Sequence, residues 1–168
     1  MNKFTHVNLH DLNLNPFEKI GKQWMLITAG NEDSLNTMTA SWGGLGVLWN
    51  KDVAFTFVRP CRYTYEFLEN NKYFSLCFFP EEYKDALMFC GRNSGRDCDK
   101  IKETGLTPVY IDGVPCFEEA SFILICEKMY AQDMSDTCAI SDEIKKHYGE
   151  NEPYHTFYVG EIIKAYTK

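Results

Sequence analysis

The chain has 168 residues, of which 45% are hydrophobic and 15% aromatic, and its formal net charge is -7 at pH 7. This composition excludes a disordered chain, and the length predicts one globular domain over residues 1–168. The negative charge argues against nucleic acid as the main partner, because a phosphate backbone attracts a basic surface.

The N-terminal segment lacks the apolar core of a signal peptide, and no apolar run reaches the length of a membrane span. We therefore expect a soluble, cytoplasmic protein without a membrane partner. The seven cysteines include no C-x-x-C pair, and the four histidines do not lie near them at zinc-ligand spacing. Free thiols and no metal site are expected, while a redox role of Cys90 or Cys98 stays open.

Strands dominate the predicted elements. They are expected at residues 23–29, 36–42, 53–58, 73–79, 121–132 and 156–165. Short helices are expected at residues 62–69, 80–91 and 97–104, and a fourth is expected to be capped by Ser141. Helices fall between strands that are not neighbours, which favours a mainly β fold. We predict an antiparallel barrel with short peripheral helices over a doubly wound parallel sheet.

The strand at residues 36–42 has two different faces. One face carries Thr37, Thr39 and Ser41, and the other carries Met38, Ala40 and Trp42. An ordinary half-exposed strand is one interpretation, because threonine favours sheets. The other is a wall for a flat ligand with a polar edge, because short hydroxyl side chains and an indole N–H can bond to such an edge.

Residues 59–64, Arg-Pro-Cys-Arg-Tyr-Thr, connect a predicted strand to a predicted helix. The side chains of Arg59, Arg62 and Thr64, together with the helix N-terminal N–H groups, predict a phosphate site. A surface loop whose arginines pair with nearby acids is the alternative. The loop at residues 92–97 offers Ser94 and leads to Lys100, but alone it favours an ordinary connection between helices.

Two further features have limited specificity. The glycines of residues 43–46 lack the third glycine and the long helix of a dinucleotide fingerprint, so we expect a flexible turn or a bulge there. His155 begins the last predicted strand. It is either a hydrogen-bond donor or proton relay at the edge of a ligand, or a structural histidine.

In their order along the chain, these segments resemble the flavin reductase-like family. The matching pieces are Trp24-Met-Leu-Ile-Thr-Ala-Gly30, Asn36-Thr-Met-Thr-Ala-Ser-Trp42, Val58-Arg-Pro-Cys-Arg-Tyr-Thr64, Phe89-Cys-Gly-Arg-Asn-Ser-Gly-Arg-Asp97 and the run from His155 to Ile162. Each piece alone has low to moderate specificity, whereas their joint order and spacing are highly specific. The resemblance extends from about residue 17 to the C-terminus.

The resemblance implies a six-stranded antiparallel split β-barrel that binds FMN non-covalently and forms a homodimer. The flavin ring would be lined by Asn36, Met38, Thr39, Ala40, Ser41 and Trp42. Arg59, Arg62 and Thr64 would hold the phosphate, with Ser94 and Lys100 reaching the same ligand. His155 matches a histidine near the flavin and the nicotinamide, which makes it the candidate catalytic residue.

The implied function is an oxidoreductase that moves electrons between NAD(P)H and the bound flavin, and then to an acceptor. Residues 133–153 depart from simple reductases and resemble flavoredoxin-like members. An electron carrier that depends on a redox protein partner is therefore the alternative. A third hypothesis, a flavin-free interaction domain on the same barrel, conflicts with the phosphate-type patch at residues 59–64.

Overall fold

In the computed structural model, residues 4–168 are described. The strands are β1 (Thr5–Val7), β2 (Met25–Gly30), β3 (Leu35–Ala40), β4 (Gly43–Leu48), β5 (Lys51–Val58), β6 (Tyr73–Phe78), β7 (Pro108–Ile111), β8 (Val114–Phe117), β9 (Phe122–Asp133) and β10 (Thr156–Thr167). The α-helices are α1 (Pro16–Glu18), α2 (Tyr63–Asn70), α3 (Lys84–Arg92), α4 (Lys100–Thr104) and α5 (Asp142–Lys145). A π-helical turn (Lys19–Gln23) follows α1, and 3-10 turns lie at Leu9–Asp11, Glu81–Tyr83 and Asp136–Cys138.

The main sheet is antiparallel and has the strand order β3-β2-β6-β9-β10-β5-β4, with β1 added beside β10. Strands β7 and β8 form a separate hairpin. The two ends of the order, β3 and β4, are consecutive in the chain and are joined by Ser41 and Trp42. The sheet therefore curls back on itself, and the gap between its ends lies beside this connection. The mainly β fold and the split barrel are confirmed.

Two apolar clusters hold the barrel together. Strand β2 shows why, because it is buried on both faces. Ile27 points to the barrel interior with Phe74 and Tyr158. Its neighbour Leu26 points outward and packs with Leu87 of α3. A strand buried on both faces has a continuous apolar sequence, so the run at residues 25–27 needs no alternation.

All six predicted strands are present, as β2, β3, β5, β6, β9 and β10. The prediction for residues 43–46 was wrong, because these residues belong to strand β4 and pair with β5. The physical reason is that pairing with β5 outweighs the turn preference of glycine here. At Gly43, where φ is +155°, a Cβ atom would lie 2.8 Å from the Phe55 carbonyl oxygen, so the strand needs glycine at its start. At Gly44 and Gly46 a Cβ atom would make ordinary contact with the Phe55 ring.

The four predicted helices are present with shifted ends. Ser141 caps α5 as expected, since its side chain accepts a hydrogen bond from the Glu143 N–H. Helix α4 begins at Lys100 because Asp99 caps it. The hairpin of β7 and β8 was not predicted, although its turn contains Asp112-Gly113, a common hairpin signal.

Within the described residues, no helix is both long and apolar enough to cross a membrane. Residues 4–168 also contain no group of three or more His, Cys, Asp or Glu side chains placed to hold a metal ion. All seven cysteines are free. Burial raises the pKa of Cys90 to about 11, so this side chain is a protonated thiol at neutral pH.

Candidate functional site

An open cavity of about 330 Å³, here called the groove, lies beside the end of β3, with the end of β5 and the segment that leads into α2 also in its lining. Eight of the predicted site residues line it: Met38, Thr39, Ala40, Ser41, Trp42, Arg59, Arg62 and His155. Phe57, Cys61 and Gly91 complete the lining. The fold thus brings together segments that are separated by more than a hundred residues in the chain.

One wall of the groove is strand β3. Its hydroxyl groups are already used inside the protein: Thr37 Oγ1 donates to the Ile27 carbonyl at 3.2 Å, and Thr39 Oγ1 donates to the Leu87 carbonyl. Because β3 is an end strand, one edge of its backbone has no strand partner in the described sheet. What this wall offers a ligand is therefore mainly backbone N–H and C=O groups and not threonine hydroxyls.

Trp42 stands at the mouth of the groove and is 45% exposed. Its ring centroid lies 5.1 Å from that of His155 and 5.4 Å from that of His147. The two imidazoles hold the indole in place and leave an apolar, flat surface beside the end of β3.

Two arginines supply the positive charge of the groove. Arg62 lies at the start of α2, and its Nη2 donates to the Gly91 carbonyl at 2.6 Å. Burial, with a smaller contribution from the charge of Arg59, lowers the pKa of Arg62. Arg59 has an acidic partner, since its Nη1 donates to Glu152 at 2.7 Å and its Nη2 donates to the His147 carbonyl at 2.7 Å. The pairing with an acid proposed as the alternative is therefore present at Arg59.

His155 lies next to Trp42 in the lining of the groove. Burial and the charge of Arg59 lower its pKa to about 4, so the imidazole is neutral at pH 7. Its Nδ1 lies 2.7 Å from the Tyr148 hydroxyl. Among the described residues, Nε2 has no hydrogen-bond partner, which leaves this nitrogen for a ligand of the groove.

Four predicted site residues do not line the groove. Asn36 and Thr64 are buried and bonded to each other, with Asn36 Nδ2 donating to Thr64 Oγ1 at 2.7 Å. Lys100 is 5% exposed and donates to the carbonyls of Thr37 and Cys90, at 2.8 Å each. Ser94 Oγ accepts from the Arg96 N–H within its own turn. Asn36, Thr64 and Lys100 thus stand behind the β3 wall and fix its position.

The connection between β9 and β10, residues 134–153, is here called the cover. It contributes Tyr148, His147 and Glu152, which contact groove residues and were not predicted. The Tyr148 ring also lies under the Arg59 guanidinium, 5.1 Å from its Cζ, and stacks on Tyr154 at 4.0 Å. The cover has no sequence periodicity that could have indicated these contacts.

Gly91 and Phe57 were also missed, but each has a sequence signal. Gly91 lets the end of α3 approach β3, because a Cβ there would lie 3.3 Å from Thr39 Cβ. A glycine within an apolar helical run is such a signal. Phe57 precedes the buried Val58 near the end of β5, so strand alternation places it on the outer side of the sheet.

A sequence model described as "Flavin reductase like domain" matches residues 17–168. No curated protein matches the sequence. Among solved structures, flavoredoxin from Methanosarcina acetivorans is 24% identical with a TM-score of 0.68, and the match covers 87% of this chain and 68% of that one.

Two further solved structures have the same fold. The FMN-binding domain of a flavin reductases-like enzyme from Shewanella baltica is 16% identical with a TM-score of 0.71, covering 99% of this chain and 78% of that one. The NADH:FAD oxidoreductase of Streptomyces globisporus is 16% identical with a TM-score of 0.63, covering 87% of this chain and 75% of that one. At these identities the likeness shows the fold alone.

Proposed function

Because the chain belongs to the flavin reductase-like family, we propose that it is an FMN-dependent oxidoreductase whose flavin binds non-covalently in the groove. The observation that carries this proposal is the lining of the groove. The lining combines an unpaired strand edge, an indole and two arginines. A flat ring with a polar edge and a phosphate matches this arrangement.

In this proposal the flavin ring lies along residues 38–42, where the free backbone edge of β3 meets its polar atoms. Arg59 and Arg62 hold the phosphate near the N-terminus of α2. Asn36, Thr64 and Lys100 act from behind the wall, through the contacts that hold β3 in place. Contact of Ser94 with the ligand stays a prediction.

The chemistry that a bound flavin supplies is the transfer of electrons from NAD(P)H to an acceptor, and the protein positions the reactants. His155 is the one titratable side chain on the groove that is both neutral at pH 7 and free at one ring nitrogen. In this proposal the Tyr148 hydroxyl donates to Nδ1, which leaves the imidazole proton on Nε2, towards the ligand. We assign His155 a hydrogen-bonding role.

An electron carrier that receives electrons from a redox protein is the second candidate, and the cover favours it. The cover contacts Trp42, Arg59 and His155 around the mouth of the groove, which restricts the space for a dinucleotide beside a bound flavin. In this case the chain would bind FMN but would not oxidise NADH or NADPH on its own.

We also propose a homodimer. Val47 and Trp49 lie at the end of β4, and their side chains are 70% and 53% exposed. The ring centroids of Trp49 and Tyr130 lie 6.0 Å apart. Exposed apolar side chains of this size, close together, mark a contact surface. Light scattering should give twice the mass of one chain, and Trp49→Glu should halve it; a wild-type mass of one chain would contradict the dimer.

The test of the proposed function is anaerobic mixing of the FMN-loaded protein with NADH or NADPH. Loss of the flavin absorbance within seconds identifies a reductase. Persistent absorbance, with full bleaching by dithionite, identifies a carrier. A protein that neither binds FMN nor quenches its fluorescence would contradict both candidates.

A further inference from the structure

A second cavity, here called the outer cavity, lies between the cover and the outer face of the sheet. Its volume is about 310 Å³. The floor consists of Phe57 and Phe157, which pair across β5 and β10 and whose rings stack 5.2 Å apart at 23°. The roof comes from the cover, through Met134, Ala139 and Ile144. The cavity is thus bounded by two flat rings below and aliphatic side chains above.

Three polar side chains at the rim of the outer cavity, Gln132, Asp133 and Ser135, have hydrogen-bond partners within the protein. The Gln132 amide oxygen accepts from the Tyr130 hydroxyl at 2.6 Å, and the Asp133 carboxylate accepts from Thr156 Oγ1 at 2.6 Å. Ser135 donates to Cys138 Sγ at 3.3 Å. No cationic side chain lines the cavity within the described residues. An anionic ligand would lose its hydration there without gaining an ionic partner, whereas an uncharged apolar ligand has no such cost.

The outer cavity is next to the groove. Phe57 lines both, so one aromatic ring separates their contents. The volume lies at the lower end of the range of small-molecule sites, roughly 300 to 1,000 Å³, which suits one or two fused rings. The flat floor favours a planar molecule, because aromatic rings stack with an offset on such surfaces.

We propose that the outer cavity binds a small, planar, uncharged molecule of the quinone class, as the electron acceptor of the flavin site. This inference rests on the proposed function. A quinone takes up two electrons from the reduced flavin and two protons, one with the electrons and one from solvent, and leaves as the hydroquinone while the flavin returns to its oxidised form. The cover is then the element that determines which acceptor enters.

The test is a calorimetric titration of the FMN-loaded protein with 2-methyl-1,4-naphthoquinone. We expect saturable binding, and binding at least tenfold weaker for a sulfonated naphthoquinone of similar size. Ile144→Asp places a charge in the roof and should weaken binding of the uncharged quinone at least tenfold. Ile140→Asp is the matched control, because Ile140 belongs to the same cover but is fully exposed and does not line the cavity.

Ala139→Leu is a second variant that fills the cavity without adding charge, and it should weaken quinone binding with little effect on folding. Equal quinone affinity in Ile144→Asp, Ala139→Leu and Ile140→Asp would overturn the proposal, as would equal binding of the sulfonated compound or no binding to wild type. FMN affinity is measured separately in every variant. Failure of FMN to bind would contradict the proposed function, while quinone binding to the flavin-free protein would still support the outer cavity as a site.

Discussion

The two sides of the groove are built differently. The β3 wall is buried and held from behind, by Lys100, by the bond between Asn36 and Thr64, and by the hydrogen bond from Thr39 to the Leu87 carbonyl of α3. The cover is mostly exposed and touches the groove through a few polar and aromatic contacts. The contacts of the wall leave its ligand-facing edge free. The contacts of the cover engage Arg59, His155 and Trp42, which are the groups that a ligand would use.

The shape of the groove and the access of a ligand to it are therefore determined by different parts of the chain: the wall determines the shape, and the cover determines the access. The wall has its shape before any ligand arrives, so changes there should alter the stability of the fold. The cover shares its partners with the ligand, so changes there should alter ligand affinity and leave the fold intact.

The largest expected effect tests the wall. Lys100→Met removes a charged donor from two buried carbonyls, those of Thr37 and Cys90, and should lower the free energy of unfolding by about 2 kcal/mol. Urea denaturation measures it. Lys102→Met is the control, because Lys102 is exposed on the same helix. Equal stability of the two variants would show that Lys100 does not fix the wall.

A smaller effect is expected at the cover. Glu152→Gln removes the carboxylate that pairs with Arg59 and frees this arginine for a phosphate. Since an exposed ion pair contributes up to about 1 kcal/mol, FMN should bind up to about fivefold more tightly, and the free energy of unfolding should fall by no more than about the same 1 kcal/mol. Glu150→Gln carries the same charge change two residues away and should bind FMN as wild type does. Weaker binding in Glu152→Gln would contradict competition between the cover and the ligand.

The smallest expected effect of a substitution is a change in the pKa of His155. The pKa of His155 is about 4 in the folded protein and about 6.5 when exposed, so the unfolded chain takes up the proton first as the pH falls. The contribution of neutral His155 to the free energy of unfolding is therefore fully present above pH 6.5 and is lost as the pH falls towards 4.

The charge of Arg59 contributes to this lowered pKa, so Arg59→Met should raise the pKa of His155 while burial keeps it below 6.5. Titration of the imidazole signals by NMR measures this shift. Arg96→Met is the control, because Arg96 does not line the groove and its charge does not contribute to the pKa of His155; it contacts Tyr63, Glu66 and the Cys61 carbonyl. An unchanged His155 pKa in Arg59→Met would contradict a contribution of the Arg59 charge to this pKa.

Much of the fold could be predicted, because alternation and turn residues are local. Strand β4 could not, since glycines are a turn signal in the sequence and the pairing that makes them a strand comes from β5. Family spacing predicted the groove residues at 38–42, 59, 62 and 155. It did not predict that the Thr39 hydroxyl donates a hydrogen bond to the Leu87 carbonyl of helix α3. Strand alternation predicts the face on which a side chain lies but not its hydrogen-bond partner. The contacts of Tyr148 and Glu152 could not be predicted either, because the cover has no helical or strand periodicity in its sequence.

The most direct test of the central claim compares FMN with riboflavin, which lacks the phosphate, in wild type and Arg59→Met. Fluorescence titration should give a wild-type Kd for FMN at least tenfold below that for riboflavin, a difference of about 1.4 kcal/mol. Arg59→Met should bring the two Kd values close together, with riboflavin affinity little changed. Equal affinities in wild type, or an undiminished preference for FMN in Arg59→Met, would contradict the claim that the arginine side of the groove holds the phosphate.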